Sequence, residues 1–317
     1  MRLLEMDDIW VVFDTPNGHA ESLRGAALKL DKGEWVAVIG HNGSGKSTLG
    51  RVIAGLCDIS KGQILVDGLP CTPKTKAYET SLCVRIVFQS PDTQAVGDTV
   101  MEDVAFQPGL LATPGEDGAH ARAAATVTPT ATTTGAATVT ATVTDAPTDA
   151  LDNEIMERAA KALSLMGLWE VRGQPVETLS GGQKQRLAIA SAIVAKPDIL
   201  VLDEVTTMLD DSHREQVWDT VRQLNRDGVC IVWITQNLDE LWLADAVVVM
   251  DEGKVAYQGD PRSFFYSPPS DSESGSICER MGFVPPFAVA VAKELGDALA
   301  PTCRPLTVAQ LMEVIHP

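Results

Sequence analysis

Positive charge is scarce in this chain. Its 25 Lys and Arg face 43 Asp and Glu, for a formal net charge of −18. A field of that sign repels nucleic acid and anionic lipid, which their binders usually meet with a basic face. Nucleic acid is therefore not expected as a partner. Long apolar runs are missing too: none approaches the ~18 residues that a membrane-spanning helix requires. Met1-Arg2-Leu3-Leu4-Glu5 lacks the charged-then-apolar pattern of a signal peptide, so the chain is expected to stay in the cytosol. The cysteines, Cys57, Cys71, Cys83, Cys230, Cys278 and Cys303, are scattered, with no C-x-x-C pair and no accompanying His cluster. That spacing argues against a zinc site or a disulfide framework and leaves reduced thiols. Aromatics make up 5% of the residues, but 45% of the 317 residues are hydrophobic. This is enough for one large or two modest globular domains.

What is present is phosphate chemistry. Gly40-His41-Asn42-Gly43-Ser44-Gly45-Lys46-Ser47 satisfies G-x-x-x-x-G-K-[ST]. Backbone N–H groups of such a loop cradle phosphates, the lysine (Lys46) reaches the outer oxygens, and the hydroxyl (Ser47) serves Mg²⁺. An apolar strand, Gly33 to Gly40, feeds the loop, and a helix from Lys46 through Thr48 to Ala54 follows it, with Gly55 as its stop. A chance match in a chain of this length has a probability of about one in a hundred, and the strand–loop–helix setting lowers that further.

A second glycine-rich helix start lies far away in sequence, at Leu179-Ser180-Gly181-Gly182-Gln183. Its glycines let a phosphate approach free N–H groups at the positive end of a helix running to Ala195. It carries no metal ligand of its own, which suits a device that completes another molecule's nucleotide site. Beyond it, the strand Ile199-Leu200-Val201-Leu202 delivers Asp203-Glu204. By itself that pair could be an acidic turn. Next to a phosphate loop, Asp203 reads as holding Mg²⁺ through the Ser47 shell and Glu204 as the group that polarises the attacking water. Short strands at Ile9 to Phe13, Gly62 to Val66, Val84 to Gln89, Cys230 to Thr235 and Ala246 to Met250, with a helix from Ser212 to Arg226, complete a mostly parallel, helix-covered α/β sheet. Gln89 falls at a strand end, where ligand-facing residues of such sheets collect.

Two stretches stand apart. From about Ala112 to Ala150 alanine, threonine, glycine and proline dominate, too little apolar bulk to offset an ordering cost of roughly 1–2 kcal/mol per residue. A disordered insertion is expected, with a marginal strand at Thr138 to Thr144 as the alternative. Asp152 then reads as the N-cap of a helix carrying Ile155, Ala159, Ala162, Leu163 and Met166 and ending at Gly167. The linker Pro268 to Ser276 leads to a tail with one helix carrying Phe287, Val291 and Leu295 and another opened by a Thr307/Gln310 capping box and carrying Leu311 and Ile315. Some forty residues rarely sustain a core alone, so the tail should pack on the body or on a partner.

These motifs together resemble the ATP-binding-cassette ATPases, for which LSGGQ at Leu179 to Gln183 is the distinguishing signature. The resemblance implies a phosphate-loop ABC ATPase fold: a mixed-sheet core with antiparallel β and α-helical subdomains plus a small C-terminal helical module. The cassette would span residues 1–267, with 112–150 inserted at the edge of its helical subdomain, and 277–317 would form a helical dimerisation module. It also implies head-to-tail dimers in which each ATP lies between one subunit's Lys46 loop and the other's Ser180 signature. In this resemblance Gln89 is the Q-loop residue between metal and transporter and Leu209-Asp210 is the D-loop. Phe88-Gln89-Ser90-Pro91-Asp92-Thr93-Gln94 and Val100-Met101-Glu102-Asp103-Val104-Ala105-Phe106 look like the ATPase subunits of energy-coupling factor transporters. Thr207 to Asp210, Asn237 to Glu240 and the tail agree. Such subunits imply ATP and Mg²⁺, a second ABC ATPase subunit, a transmembrane coupling subunit and a substrate-binding membrane subunit. The implied role is energising uptake of a vitamin or metal ion from the cytoplasmic face of the membrane. Two positions depart from the pattern: Thr15 replaces an adenine-stacking ring, which Phe13 could supply, and Gln236 replaces the switch histidine. A glutamine can hydrogen-bond a γ-phosphate but carries no charge, so a slower site is expected. Another ABC importer's ATPase, a soluble ABC ATPase acting on DNA or in translation, and an ATP-gated assembly scaffold are the competing readings.

Overall fold

Strands rich in Val, Ile and Leu and apolar on both faces must be covered on both faces, and the fold follows from that demand. A computed structural model describes residues 1–16, 18–72, 82–91, 94–105, 149–266, 275–296 and 304–315. The expected insertion at 112–150, apart from its last two residues, most of the linker, and Cys303 lie outside the described residues. A four-stranded antiparallel sheet holds β1 (Arg2–Thr15), β2 (Gly18–Asp31), β4 (Lys61–Val66) and β5 (Leu69–Cys71) in the order β2-β1-β4-β5. A six-stranded sheet runs β10-β9-β3-β8-β7-β6. Here β3 (Trp35–Gly40), β6 (Val84–Val87), β7 (Ile199–Asp203), β8 (Cys230–Ile234) and β9 (Ala246–Asp251) pair parallel to one another. β10 (Lys254–Gly259) closes an edge antiparallel to β9.

The period of two along these strands divides the core. Leu200, Leu202, Ile231 and Trp233 point into one cluster with Ile155, Ala159, Leu163, Leu187 and Ile189 of the helices. Ile199, Val201, Val232 and Ile234 point the other way, against the antiparallel sheet and Leu49, Val52 and Ile53. Each such Leu or Ile, fully buried, stabilises the fold by roughly 1.5–3 kcal/mol. Among the described residues the α-helices are α1 (Lys46–Ile53), α2 (Val100–Ala105), α3 (Asp149–Leu165), α4 (Gly181–Val194), α5 (Asp211–Arg226), α6 (Pro261–Tyr266), α7 (Ile277–Arg280), α8 (Phe287–Leu295) and α9 (Val308–Ile315). α1 runs close over the sheet: a Cβ on Gly50 would lie 2.8 Å from Ile234 Cδ1. None of the five described cysteines is in a disulfide, and four of them are buried.

Two sequence expectations are corrected. Asp152 is not the N-cap of α3, which begins a turn earlier at Asp149, since Ala150 and Leu151 are strong helix formers that extend it toward the N-terminus. The helix expected to carry Phe287, Val291 and Leu295 forms as α8, in which Ala288, Val289 and Ala292 are buried while Phe287 is 70% and Leu295 37% exposed. Ala288 and Ala292 pack against Leu311 of α9 and Tyr266, and Val289 joins the cluster of the body, so the small face of α8 is the one covered. The capping box of α9 is half formed: the Thr307 hydroxyl accepts from the Gln310 N–H at 3.2 Å, but the Gln310 side chain accepts from Leu306 N–H at 2.8 Å. The tail does pack on the body, since Cys278, Val289 and Leu306 share a buried cluster with Ile39, Val249 and Phe264.

Candidate active site

The site begins where β3 ends. Glycines let the chain turn from Gly40 into α1. Gly45 takes a left-handed φ of 101°, and a Cβ there would lie 2.7 Å from the Ser22 carbonyl oxygen. Lys46, only 6% exposed, turns its ammonium back onto the carbonyls of Gly40 at 2.9 Å and His41 at 3.1 Å. Burial pulls its pKa down, opposed by Glu204 and Asp203. The Ser44 hydroxyl is buried without a hydrogen-bond partner. Thr48 is fixed by a 2.7 Å hydrogen bond with Ser22 from β2. His41 stacks on Phe283 of the tail, ring centroids 4.8 Å apart.

The carboxylates arrive on β7. Asp203 is buried; that burial pushes its carboxyl up, and a hydrogen bond from Ser47 draws it back down. Glu204 follows in the left-handed region at φ 52°. Its Oε2 accepts from Gln89 Nε2 at 2.9 Å and its Oε1 from Gln236 Nε2 at 2.6 Å. Gln236 Nε2 also donates to Asn42 Oδ1 at 3.1 Å. Asn42, Gly43, Gly45, Lys46, Ser47, Thr48, Gln89, Glu204 and Gln236 thus line one cleft of about 360 Å³, whereas Gly40, Ser44 and Asp203 are not among its lining residues.

Ser180, Gly181, Gly182, Gln183 and Asp210 do not line that cleft. Ser180 caps α4 in a reciprocal pair with Gln183 at 3.3 and 2.9 Å. Gly181 and Gly182 lie against Met208. Asp210 caps α5, and hydrogen bonds from His213 hold its carboxyl down at about 2. Phe13 is 41% exposed on β1, while the Thr15 side chain lies outside the described residues. Sequence reasoning missed two clamps on the strand end that carries Gln89. Gln94 accepts from Phe88 N–H at 2.9 Å and donates to the Ile86 carbonyl at 3.0 Å. Gln185, fully buried in α4, donates to the Phe88 carbonyl at 3.2 Å. An amide inside the otherwise apolar face of α4 was the available signal.

Residues 23–207 match the ABC transporter family. The chain belongs to that family. Relatives of this ABC ATPase place it in one branch. It is 34% identical over 285 residues to the energy-coupling factor transporter ATP-binding protein EcfA of Methanosarcina acetivorans, covering 90% of this chain and 87% of that one. It is 40% identical over 245 residues to EcfA1 of Symbiobacterium thermophilum, with 77% and 72% covered. Among solved structures, cbiO1 from Clostridium perfringens, part of the ABC transporter complex cbiONQ, superposes with a TM-score of 0.61 at 28% identity, over 82% of this chain and 89% of that one. A dimeric ATP-binding cassette bound to ADP and Pi shares the fold, with a TM-score of 0.65 at 22% identity over 83% of this chain and all of that one. The ABC ATPase fold and the energy-coupling factor resemblance are borne out. The protein is an ATPase subunit of that transporter type. No helix among the described residues is long and apolar enough to cross a membrane.

Proposed function

We propose that this ATPase hydrolyses ATP in a head-to-tail dimer and so energises uptake of a vitamin or metal ion. In this reading it lies peripherally on the cytoplasmic face of the membrane and works on a transmembrane coupling subunit and a substrate-binding membrane subunit. One observation carries the reading: a carboxylate, Glu204, is held by the amides of Gln89 and Gln236 at the mouth of a loop whose buried Lys46 and unpartnered Ser44 hydroxyl await phosphate oxygens. The Asp203 carboxylate and Ser47 hydroxyl are hard oxygen donors that suit Mg²⁺, and the oxygen of the Gln89 amide can join them. Bound there, Mg²⁺ would neutralise charge developing on the phosphates. Glu204 then accepts the proton of the attacking water, and Lys46 leaves its loop carbonyls for the phosphate.

Gln236 stands where the resembled family has its switch histidine. Its amide nitrogen has two hydrogens, one committed to Glu204 and the other to Asn42. Donating to a γ-phosphate means giving up one of these, so this site should bind ATP yet turn over slowly. Loss of a transition-state donor costs roughly 3–4 kcal/mol, part of which glutamine recovers. Gln236→His is therefore expected to raise turnover roughly tenfold, and Glu204→Gln to abolish turnover at this site while ATP still binds. ATPase assays of the complex check both; no change from either variant would sink the reading. A non-hydrolysing, ATP-gated scaffold is the second reading, favoured by the same commitment of Gln236, and absence of turnover at this site with the partner present would select it.

The cassette spans 1–267 in this proposal, and 277–317 joins two ATPases. Supporting the second point, Phe287, Val308, Met312 and Ile315 are 40–70% exposed on the tail, an apolar surface that a paralogue or a second copy would cover. The coupling subunit has a candidate seat in the cleft of about 580 Å³ lined in part by Gln94, Val96, Asp98, Glu177 and Lys184, close to the strand end that carries Gln89.

A further inference from the structure

Behind the site lies a buried carboxyl group that the chemistry above does not use. Glu240 is 1% exposed, sits on the short helical turn Leu238–Leu243 after β8, and does not line the nucleotide cleft. Its Oε1 accepts from the Thr206 hydroxyl at 2.7 Å, and its Oε2 accepts from the Trp233 indole N–H at 2.8 Å and the Thr235 hydroxyl at 2.7 Å. None of these partners is a cation. Removing a carboxyl group from water is costly even when it is well hydrogen-bonded, and an apolar side chain of similar volume commonly serves stability as well or better. Its presence here points to something other than stability.

The partners say what. Thr206 lies two residues after Glu204, and Thr235 lies immediately before Gln236. Besides donating to Glu240, Thr235 accepts from the Asn237 N–H at 3.0 Å, so the hydroxyl braces both the strand end and the turn. The two loops meet once more through the backbone, where Glu204 N–H donates to the Ile234 carbonyl at 2.9 Å. Glu204 itself is held at φ 52°, a conformation that a non-glycine residue keeps only where its surroundings enforce it.

We propose that Glu240 is a positioning residue for ATP hydrolysis: it latches the loop bearing Glu204 to the loop bearing Gln236, keeping their side chains in register. This rests on Glu204 acting as the general base. A shift of about 1 Å at a reacting group can cost on the order of a hundredfold in rate, and the latch removes that freedom without touching the nucleotide. Its failure should therefore appear in kcat rather than in KM.

The test is steady-state ATP hydrolysis by the full-length chain in its ATPase dimer, with kcat and KM for ATP measured separately. Glu240→Ala is expected to lower kcat by on the order of tenfold to a hundredfold with KM nearly unchanged. Glu240→Gln, which keeps one acceptor oxygen, should restore much of the loss. Thr206→Val and Thr235→Val each remove one donor and should lower kcat in the same way, and they carry the test should Glu240→Ala not fold. Folded variants with wild-type kcat, or a rise in KM in place of the fall in kcat, would overturn the latch. Glu204→Gln, assayed alongside, separates the two levels: if it leaves turnover intact, the base assignment fails and the latch with it. If it stops turnover while the Thr and Glu240 variants behave as wild type, the latch alone fails.

Discussion

Gly45 shows how tightly single residues are specified. Its φ of 101° and the Ser22 carbonyl 2.7 Å from where a Cβ would stand leave no room for a side chain. Gly45→Ala should therefore lose ATP binding and destabilise the chain by about 1–3 kcal/mol, as nucleotide titration and thermal melting would show. The glycine was legible because the phosphate loop is local: loop, lysine and hydroxyl lie within a few positions, and their spacing is the signal. Ser22 was not legible, since it reaches the loop from β2 and nothing in its neighbourhood marks it. The same holds for the pairing of Glu204 with Gln236, separated by 32 positions. The motifs named each residue, but only the adjacency of β7 and β8 makes them neighbours. Glu240 was visible only as part of a resemblance, because a lone acidic residue on a polar turn reads as solvated.

At the scale of elements, the caps are as informative as the strands. α7 has four residues and no helical stability of its own. It persists because Ser276 N–H and hydroxyl both donate to Glu279 at 2.7 Å while Lys293 of α8 reaches Glu279 at 3.0 Å. The hydrogen bonds from Ser276 hold the Glu279 carboxyl down at about 2, against 4.5 ordinarily. A folded pKa below the unfolded one means a contribution fully present above about pH 4.5 that fades as the pH falls toward 2. The tail should therefore loosen from the body in that window. Proteolysis of the tail as a function of pH would record it, and Glu279→Gln should flatten the dependence. The parallel strands and the long helices were legible from period and composition, whereas β2, β5 and β10 went unmarked. The buried face of α8 was not, because Phe287 outweighs Ala288 on any hydrophobic scale, and only the cluster beneath the helix decides which fits.

In the proposed dimer the whole molecule presents half of each of two sites. Lys46 and Glu204 line a cleft that Ser180 does not, although the family match at residues 23–207 takes in all three. In the proposed head-to-tail dimer, Ser180→Arg should leave this chain's own ATP binding intact and stop hydrolysis at the partner's site. Nucleotide binding to the isolated chain and turnover of the complex measure the two effects; equal loss of both would contradict the composite arrangement. The sequence by itself determined the fold class, the phosphate loop, the signature and the acidic pair, because each is written in short-range spacing or strand periodicity. The tertiary structure alone decided that the two amides bracket Glu204, that Phe283 of the tail stacks on His41 of the loop, and that Glu240 ties two loops together. Those contacts join parts of the chain far apart in sequence, and only the order of parallel strands and the packing of the tail brings them within hydrogen-bonding or stacking distance.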